Sequence, residues 1–275
     1  MTLSKRDINE LLAEHGLAPR REFGQNFVAD PNTVRRIARL AKLTPSDQVV
    51  EIGAGLGSLT VALAETGAAI TAIEIDHGIV PVLRTIVSGL DNVRVVEGDA
   101  QELSWPELLA GCTTWVLVAN LPYNVGTPLV MDLLDNTPDI ARMVVMVQRE
   151  VAERIVAPVR TSAYGAISVK VAYWATARIL GYVPATVFVP QPKVESALVE
   201  ITRRAKPAVD GVEPLALFTL VKAGFAHRRK MLRGSLAGMV TIAQFEQAGI
   251  APTARAEELD VHAWGRLAHV LAGTS

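Results

Sequence analysis

The chain carries a single cysteine, Cys112, in 275 residues. A lone thiol cannot close an internal disulfide, and no ligand cluster surrounds it, which fits a reducing compartment and excludes a cysteine-based zinc site. The five histidines are scattered, with no metal-ligand spacing, so no metal site is expected. No nucleophile–base pair stands out either. Neither charge sign dominates: the formal net charge is −1. That excludes a uniformly basic coat and leaves room for local basic patches. No apolar run approaches the length of a membrane span. The opening Met1-Thr-Leu-Ser-Lys-Arg leads into polar sequence rather than a secretory core. The chain is therefore expected to be soluble and cytoplasmic. Internal repeats and low-complexity tracts are also missing.

What is present is a hydrophobic half of the composition, enough for a substantial core. The length suits one large domain, or a large one plus a small one. Residues 4–16 have helical spacing, with Ile8, Leu11 and Leu12 on one side. Asp30-Pro31 reads as the N-cap and first residue of a helix over 31–43. Short β-branched runs follow at Gln48–Ile52, Ala69–Ile75, Val93–Val96, Thr114–Ala119 and Arg142–Val147. They alternate with helical stretches near 58–66, 77–89, 103–110 and 127–135. This rhythm predicts an α/β fold, a parallel sheet with helices on both faces. After residue 150 the rhythm breaks. Thr186–Val189 and Ala197–Arg203 are strand candidates able to pair with each other as an antiparallel edge. Arg203–Gly211 reads as a linker, with helical patterning alone at 214–225, 228–239, 242–248 and 256–271. The expected division is a catalytic domain over 1–206, including an N-terminal helical arm, and a small all-helical domain over 207–275.

The strongest chemical signal is Asn120-Leu121-Pro122-Tyr123, at the exit of the apolar run 115–119. The Asn oxygen accepts an N–H, Pro122 fixes its φ so that the preceding carbonyl is aimed predictably, and Tyr123 offers a ring face. Such a set holds a planar amino nitrogen. Upstream, Glu51-Ile-Gly53-Ala-Gly55-Leu-Gly57 forms a glycine-rich strand-to-helix turn. Its spacing suits a nucleoside with a small charged tail at least as well as a pyrophosphate. Glu74 ends the next strand, either a solvated acid or an acceptor for both hydroxyls of a ribose. Asp99 ends the one after, either a turn residue or an acceptor for an adenine amino group. Together these motifs point to methyl transfer onto a nitrogen. Phe188, ahead of Pro190-Gln-Pro192, reads as a half-buried ring on a rigid edge or as a stacking wall opposite Tyr123. His227-Arg228-Arg229-Lys230-Met-Leu-Arg233 reads as a basic run at a helix start, where cations are mildly unfavourable. A partner phosphate then explains the run better than plain solvation. The same reasoning extends more weakly to Arg20-Arg21, Arg149 and Arg154.

The order of motifs resembles one known family. Phe23-Gly-Gln-Asn26-Phe27, Glu51 through Gly57, Ile73-Glu-Ile-Asp76, Gly98-Asp99-Ala100 and Asn120 through Tyr123 carry the first half of the match. Gln148-Arg-Glu-Val-Ala-Glu-Arg154, Ala163-Tyr-Gly165, Pro192-Lys-Val-Glu-Ser196 and Phe225-Ala-His-Arg-Arg-Lys230 carry the second. In this order they resemble the small-subunit (16S) ribosomal RNA adenine dimethyltransferases of the kasugamycin-sensitivity type, over essentially the whole chain. The resemblance implies a class I, Rossmann-like methyltransferase sheet plus a small helical C-terminal domain. It implies S-adenosylmethionine as donor and two adjacent adenosines near the 3′ end of small-subunit RNA as targets. The particle would be an assembling 30S-type one, the enzyme a monomer, its role ribosome biogenesis. By the same resemblance Asn26, Val28, Gly53, Gly55, Glu74, Ile75, Asp99, Ala100 and Asn120 hold the donor. Asn120, Leu121, Pro122, Tyr123 and Phe188 handle the target base. Arg149, Arg154, Lys193, Arg228, Arg229, Lys230 and Arg233 meet the RNA.

The chain departs from the family pattern at Val28 (Leu is commoner), Gly126 (Ser is usual) and Met231 (Thr often follows Arg-Arg-Lys). The second acceptor of the target amino group is the Leu121 carbonyl on the residue reading and the Pro122 carbonyl on the family's usual description. Three rivals stand beside this reading. A large-subunit RNA adenine methyltransferase shares the catalytic parts, but Leu121 in place of Ile, the arm before Phe23 and the basic run weigh against it. A protein-glutamine methyltransferase would more typically show Asn-Pro-Pro-Tyr. A non-catalytic assembly or transcription factor is opposed by the intact Glu74, Asp99 and Asn120.

Overall fold

The computed structural model describes residues 2–273. Met1, Thr274 and Ser275, at the outer ends of the two expected domains, lie outside the described residues. The chain packs as two units: Met1–Ala152 with Arg178–Thr202, and Glu153–Ala177 with Arg203–Ser275. Among the described residues no helix is long and apolar enough to cross a membrane.

The first unit opens with α1 (Lys5–Glu14), started by a capping box in which Ser4 and Asp7 bond each other's backbone N–H. Ile8 and Leu12 bury against Phe27, Leu56, Ile79 and Val82. Strand β1 (Phe27–Val28) leads into α2 (Pro31–Ala41). The Asp30 carboxylate accepts the N–H groups of Asn32 and Thr33, with Pro31 as the first helical residue, as the sequence predicts. Then β2 (Gln48–Ile52), α3 (Ser58–Ala64), β3 (Ala69–Glu74), α4 (Val80–Val87), β4 (Val93–Glu97), α5 (Trp105–Leu108), β5 (Trp115–Asn120), α6 (Gly126–Asn136) and β6 (Ile140–Gln148) alternate.

Strands β4-β3-β2-β5-β6 lie in that order, all parallel. Runs such as Val49-Val50 and Leu117-Val118-Ala119 are wholly buried, as a sheet covered on both faces requires. The chain steps outward from β2 to β3 and β4, then returns to β5 on the other side of β2. Sheets of this kind bind ligands beyond the strand carboxyl ends at that reversal.

After β6 come α7 (Arg149–Ile155), α8 (Ala166–Trp174), β7 (Ala175–Val183), β8 (Phe188–Val189) and β9 (Ser196–Arg203). Strand β9 runs antiparallel to β6, from Arg142↔Thr202 to Gln148↔Ser196, and β7 forms the sheet edge beyond it. The expected pairing of 186–189 with 197–203 does not occur. Phe188 and Val189 pair with Val28 and Phe27 of β1 instead. Strand β7, which the sequence pattern does not announce, has no clean alternation of buried and exposed positions, so its partner rather than its pattern makes it a strand.

The second unit contains α8, α9 (Pro214–Ala226), α10 (Leu232–Ser235), α11 (Ile242–Gln247) and α12 (Val261–Ala272). Tyr173, Leu217, Phe245 and Trp264 are central to its core. This unit is not the simple block 207–275. Val169 and Tyr173 of α8 sit in the same core, and the Tyr164 hydroxyl donates to the Leu259 carbonyl at 2.9 Å. A helix as apolar as α8 needs partners on most sides, and they come from the C-terminal helices. The expected helix over 228–239 is also corrected. Residues 227–230 form a turn, followed by the four-residue α10. The basic run thus follows the C-terminal end of α9, where the helix dipole favours cations.

Candidate active site

Strand ends and one loop of the first unit build a cleft. Gly53, Gly55 and Gly57 adopt left-handed φ values of +72°, +55° and +80°, which a side chain would strain. At Gly55 an added Cβ would also stand 3.0 Å from the Phe27 ring. The turn therefore presents bare backbone, and it is locked to β3 by Gly53 and Ala54 N–H groups on the Ile73 carbonyl at 2.9 and 3.0 Å. Glu74, at the exit of β3, is 4% exposed. Its carboxylate accepts the N–H of Gly55 at 2.7 Å and of Asp76 at 3.0 Å. Burial raises its pKa, and those backbone N–H groups partly restore it. A cleft of about 740 Å³ is lined by Asn26, Val28, Gly53, Gly55, Glu74, Ile75 and Asn120 through Tyr123. An adjoining cavity of about 800 Å³ shares Phe23, Gly53, Ile75 and Pro122 with it and adds Asp99 and Ala100. Every residue expected to hold a donor thus lines one of these two cavities.

On the acceptor side, Asn120 Nδ2 donates to the Asn26 carbonyl at 2.9 Å. This bond sets the amide's orientation and leaves Oδ1, which no hydrogen bond reaches among the described residues, as the open acceptor. The Pro122 carbonyl already accepts N–H groups from Gly126 at 2.8 Å and Val125 at 3.3 Å, opening α6. No hydrogen bond reaches the Leu121 carbonyl among the described residues. Tyr123 shares a 2.6 Å hydroxyl contact with Ser196, which is fully buried. That contact ties the Tyr123 hydroxyl to β9. A small space of about 160 Å³ is lined by Leu121, Tyr123, Gly126 and Gln148. A Cβ on Gly126 would fall 2.9 Å from the Leu121 Cβ, so glycine here lets Leu121 approach.

Phe188 is a correction. It is 1% exposed and packs with Val28, Val34, Ile37 and Leu198. Neighbouring residues in a strand face opposite ways, and the pairing with β1 turns Phe188 into the core. The ring is thus more deeply buried than the half-buried edge expected, and it is a core residue rather than a stacking wall. Arg228 is also committed. Its guanidinium bonds Glu257 at 2.7 Å and the carbonyls of Ser162 and Thr161 at 2.6 and 3.0 Å, clamping the second unit. Arg154, Arg229, Lys230 and Arg233 are exposed in that unit. In the first unit Lys193 is exposed. Arg149 pairs with Glu195 at 2.9 Å and lies 5.0 Å over the ring of Tyr182, itself 48% exposed.

Glu51 carries a role that the motif reading does not give it, although its place before the glycine turn was a signal. It lines the cleft of about 740 Å³, is 1% exposed, and its Oε2 has no hydrogen-bond partner among the described residues. Burial, with the Glu74 carboxylate adding to it, pushes its pKa up from 4.5 to about 8. The folded chain therefore holds this proton more tightly than the unfolded chain. The resulting stabilisation is fully present at low pH and is lost as pH rises through about 8. Melting temperatures of the unliganded protein should fall between about pH 5 and pH 9. Glu51→Gln should flatten that decline, and an identical profile in the variant would show that Glu51 is ionised in the fold.

The sheet order, the glycine turn and the amide holder at the β5 exit define a class I methyltransferase. The chain belongs to the ribosomal RNA adenine dimethylase family, whose model matches residues 16–273. Ribosomal RNA small subunit methyltransferase A of Cutibacterium acnes is 44% identical over 284 residues, covering 98% of this chain and 94% of that one. The Streptomyces coelicolor protein of the same name is 42% identical, covering 97% and 96%. Among solved structures, a dimethyladenosine transferase from Plasmodium falciparum superposes with a TM-score of 0.75 at 25% identity, covering 86% of this chain and 94% of that chain. The 23S rRNA methyltransferase ErmE gives 0.67 at 28% identity, covering 90% and 100%.

Proposed function

We propose that this protein methylates N6 of two adjacent adenosines near the 3′ end of small-subunit ribosomal RNA, giving dimethyladenosines, and acts as a cytoplasmic monomer on an assembling 30S-type particle. The single observation that carries the reading is the Asn120 amide. It is pinned through Nδ2 with Oδ1 open, next to an unengaged Leu121 carbonyl, in the cleft that Glu74 and the glycine turn line. Relatives at 42–44% identity are small-subunit enzymes by name, which favours that RNA over the large-subunit one.

The lining fits S-adenosylmethionine. Bare backbone at Gly53 and Gly55 admits the donor closely, and the carboxyls of Glu74 and Asp99 suit a cationic nucleoside with a ribose and an amino group. When bound, the donor supplies a methyl group already activated by its sulfonium. Glu74 would accept the ribose hydroxyls, Asp99 the adenine amino group, and Asn26 and the glycine turn would hold the amino-acid tail. The target base must leave its stack to reach the cleft. Tyr123, held by Ser196, gives it a ring face, a stacking interaction of roughly 1–3 kcal/mol. Asn120 Oδ1 and the Leu121 carbonyl then accept the two N–H groups of the adenine N6. These bonds favour a pyramidal nitrogen and free its lone pair for in-line attack. The remaining work is proximity and preorganised dipoles. The methylated nitrogen becomes acidic and passes its proton to water, so no strong base is needed.

The exposed cations Arg229, Lys230 and Arg233 of the second unit, and Lys193 with the Arg149–Tyr182 stack of the first, are the surfaces offered to RNA. The test supplies purified protein and donor to small-subunit particles from cells lacking this enzyme. Primer extension should stop at two adjacent adenosines near the 3′ end; small-subunit RNA left without these stops would overturn the reading. On the same particles, Arg229→Ala with Lys230→Ala should weaken binding. The log–log salt slope should shrink by roughly 0.7–0.9 for each phosphate no longer neutralised, with donor affinity unchanged. A parent-like slope would assign these cations to plain solvation.

A further inference from the structure

The loop that precedes β1 is fastened by a buried acid. Asp76, two residues beyond Glu74, is 2% exposed. Its Oδ2 accepts Gln25 Nε2 at 2.8 Å, and its Oδ1 accepts the Gly78 N–H at 3.0 Å and faces the Arg20 guanidinium at 3.5 Å. A carboxylate that deep persists only when it is paired and hydrogen-bonded. Gln25 works at both ends, since its Oε1 accepts the Arg20 N–H at 2.7 Å. The loop is thereby closed on itself and tied down in one step. The next residue is Asn26, whose carbonyl holds Asn120 Nδ2, and whose own side chain bonds the Gly24 carbonyl at 3.0 Å. A continuous bonded path therefore runs from the strand carrying Glu74, through Asp76 and Gln25, to the Asn120 amide.

We propose that Gln25 and Asp76 are positioning residues for the methyl-acceptor amide, holding the Asn26 carbonyl where it fixes which end of Asn120 faces the target nitrogen. The proposal rests on the role given to Asn120 above. Neither residue is assigned to the RNA itself; both act through Asn26. The path has a consequence for product. Unmethylated adenine brings two N–H groups to two acceptors, whereas the monomethylated base brings one. The second transfer then depends wholly on one well-aimed acceptor. An Asn120 amide free to rotate would also present Nδ2, a donor where an acceptor is needed. Loosening the path should slow the second transfer more than the first.

The test compares Gln25→Ala, Asp76→Asn, Asn120→Ala and the Gln25→Ala/Asn120→Ala double variant with the parent, in single-turnover methylation of small-subunit particles with product analysis. Gln25→Ala should lower the transfer rate tenfold or more and accumulate monomethyladenosine. Asp76→Asn, which keeps one of the two carboxylate acceptors, should fall between it and the parent. In the Asn120→Ala background the Gln25 change should add nothing, because both act on one amide. Full additivity, or a parent-like product ratio in Gln25→Ala, would overturn the proposal. The side-chain amide resonances of Asn120, assigned by their disappearance in Asn120→Ala, give a readout that needs no activity. They should shift or broaden in Gln25→Ala, and unchanged resonances would overturn the path on their own. Failure of the parent to dimethylate would count against the functional reading alone.

Discussion

Asn120→Ala should reduce methyl transfer by at least about 100-fold while leaving the fold intact, the range seen when one preorganised transition-state partner is removed. The Oδ1 of Asn120 matters most as the nitrogen becomes pyramidal, so turnover should drop far more than RNA affinity. Its structural cost is small. Among the described residues Asn120 makes one side-chain bond, to the Asn26 carbonyl, and that carbonyl stays beside an open cleft where water replaces the lost N–H, a cost of about 1 kcal/mol. Asn120→Asp should fail as well, because a carboxylate gives the Asn26 carbonyl no N–H and forfeits the fixed orientation. Single-turnover methylation alongside filter binding separates the two effects. Near-parent dimethylation by Asn120→Ala would remove this residue from the mechanism.

Glu74→Ala should weaken donor binding roughly 100-fold, because charge-assisted bonds to two ribose hydroxyls disappear, at about 1.5–3 kcal/mol each, offset in part by water. The same substitution strips the partners of Gly55 and Asp76 N–H, so melting temperature should fall too. Glu74→Gln separates the roles. The amide oxygen still accepts one of those backbone N–H groups, so stability should recover in part while donor affinity stays low. Calorimetric titration with unchanged affinity in Glu74→Ala would place the ribose elsewhere.

Local chemistry made much of the first unit legible. The Asp30-Pro31 cap, the β-branched runs and the glycine turn are each specified within a few neighbouring residues, so strands β2 to β6 and the residues at their exits followed from the chain itself. Phe188 shows the limit. A Phe before prolines is compatible with a cleft wall or with the core, and the choice is made by Val28, a β1 partner far away in sequence. The basic run shows a second limit. Its composition invited a helix start, but the end of α9 at Ala226 and the Arg228 clamp to Glu257 turned it into a loop with one cation already engaged.

By itself the sequence determined the parallel α/β sheet, the cleft at its carboxyl ends and the identity of Glu74, Asp99 and Asn120 there, because periodicity and turn chemistry are local and strand ends converge wherever such a sheet reverses. Only the tertiary structure decided which end of the Asn120 amide is open, which carbonyl beside it is unengaged, that Glu51 is a buried acid raised to about 8, and that residues 153–177 pack with the C-terminal helices. Each of those depends on a hydrogen bond or a burial shared between segments distant in the chain, and no single segment carries the information for both partners.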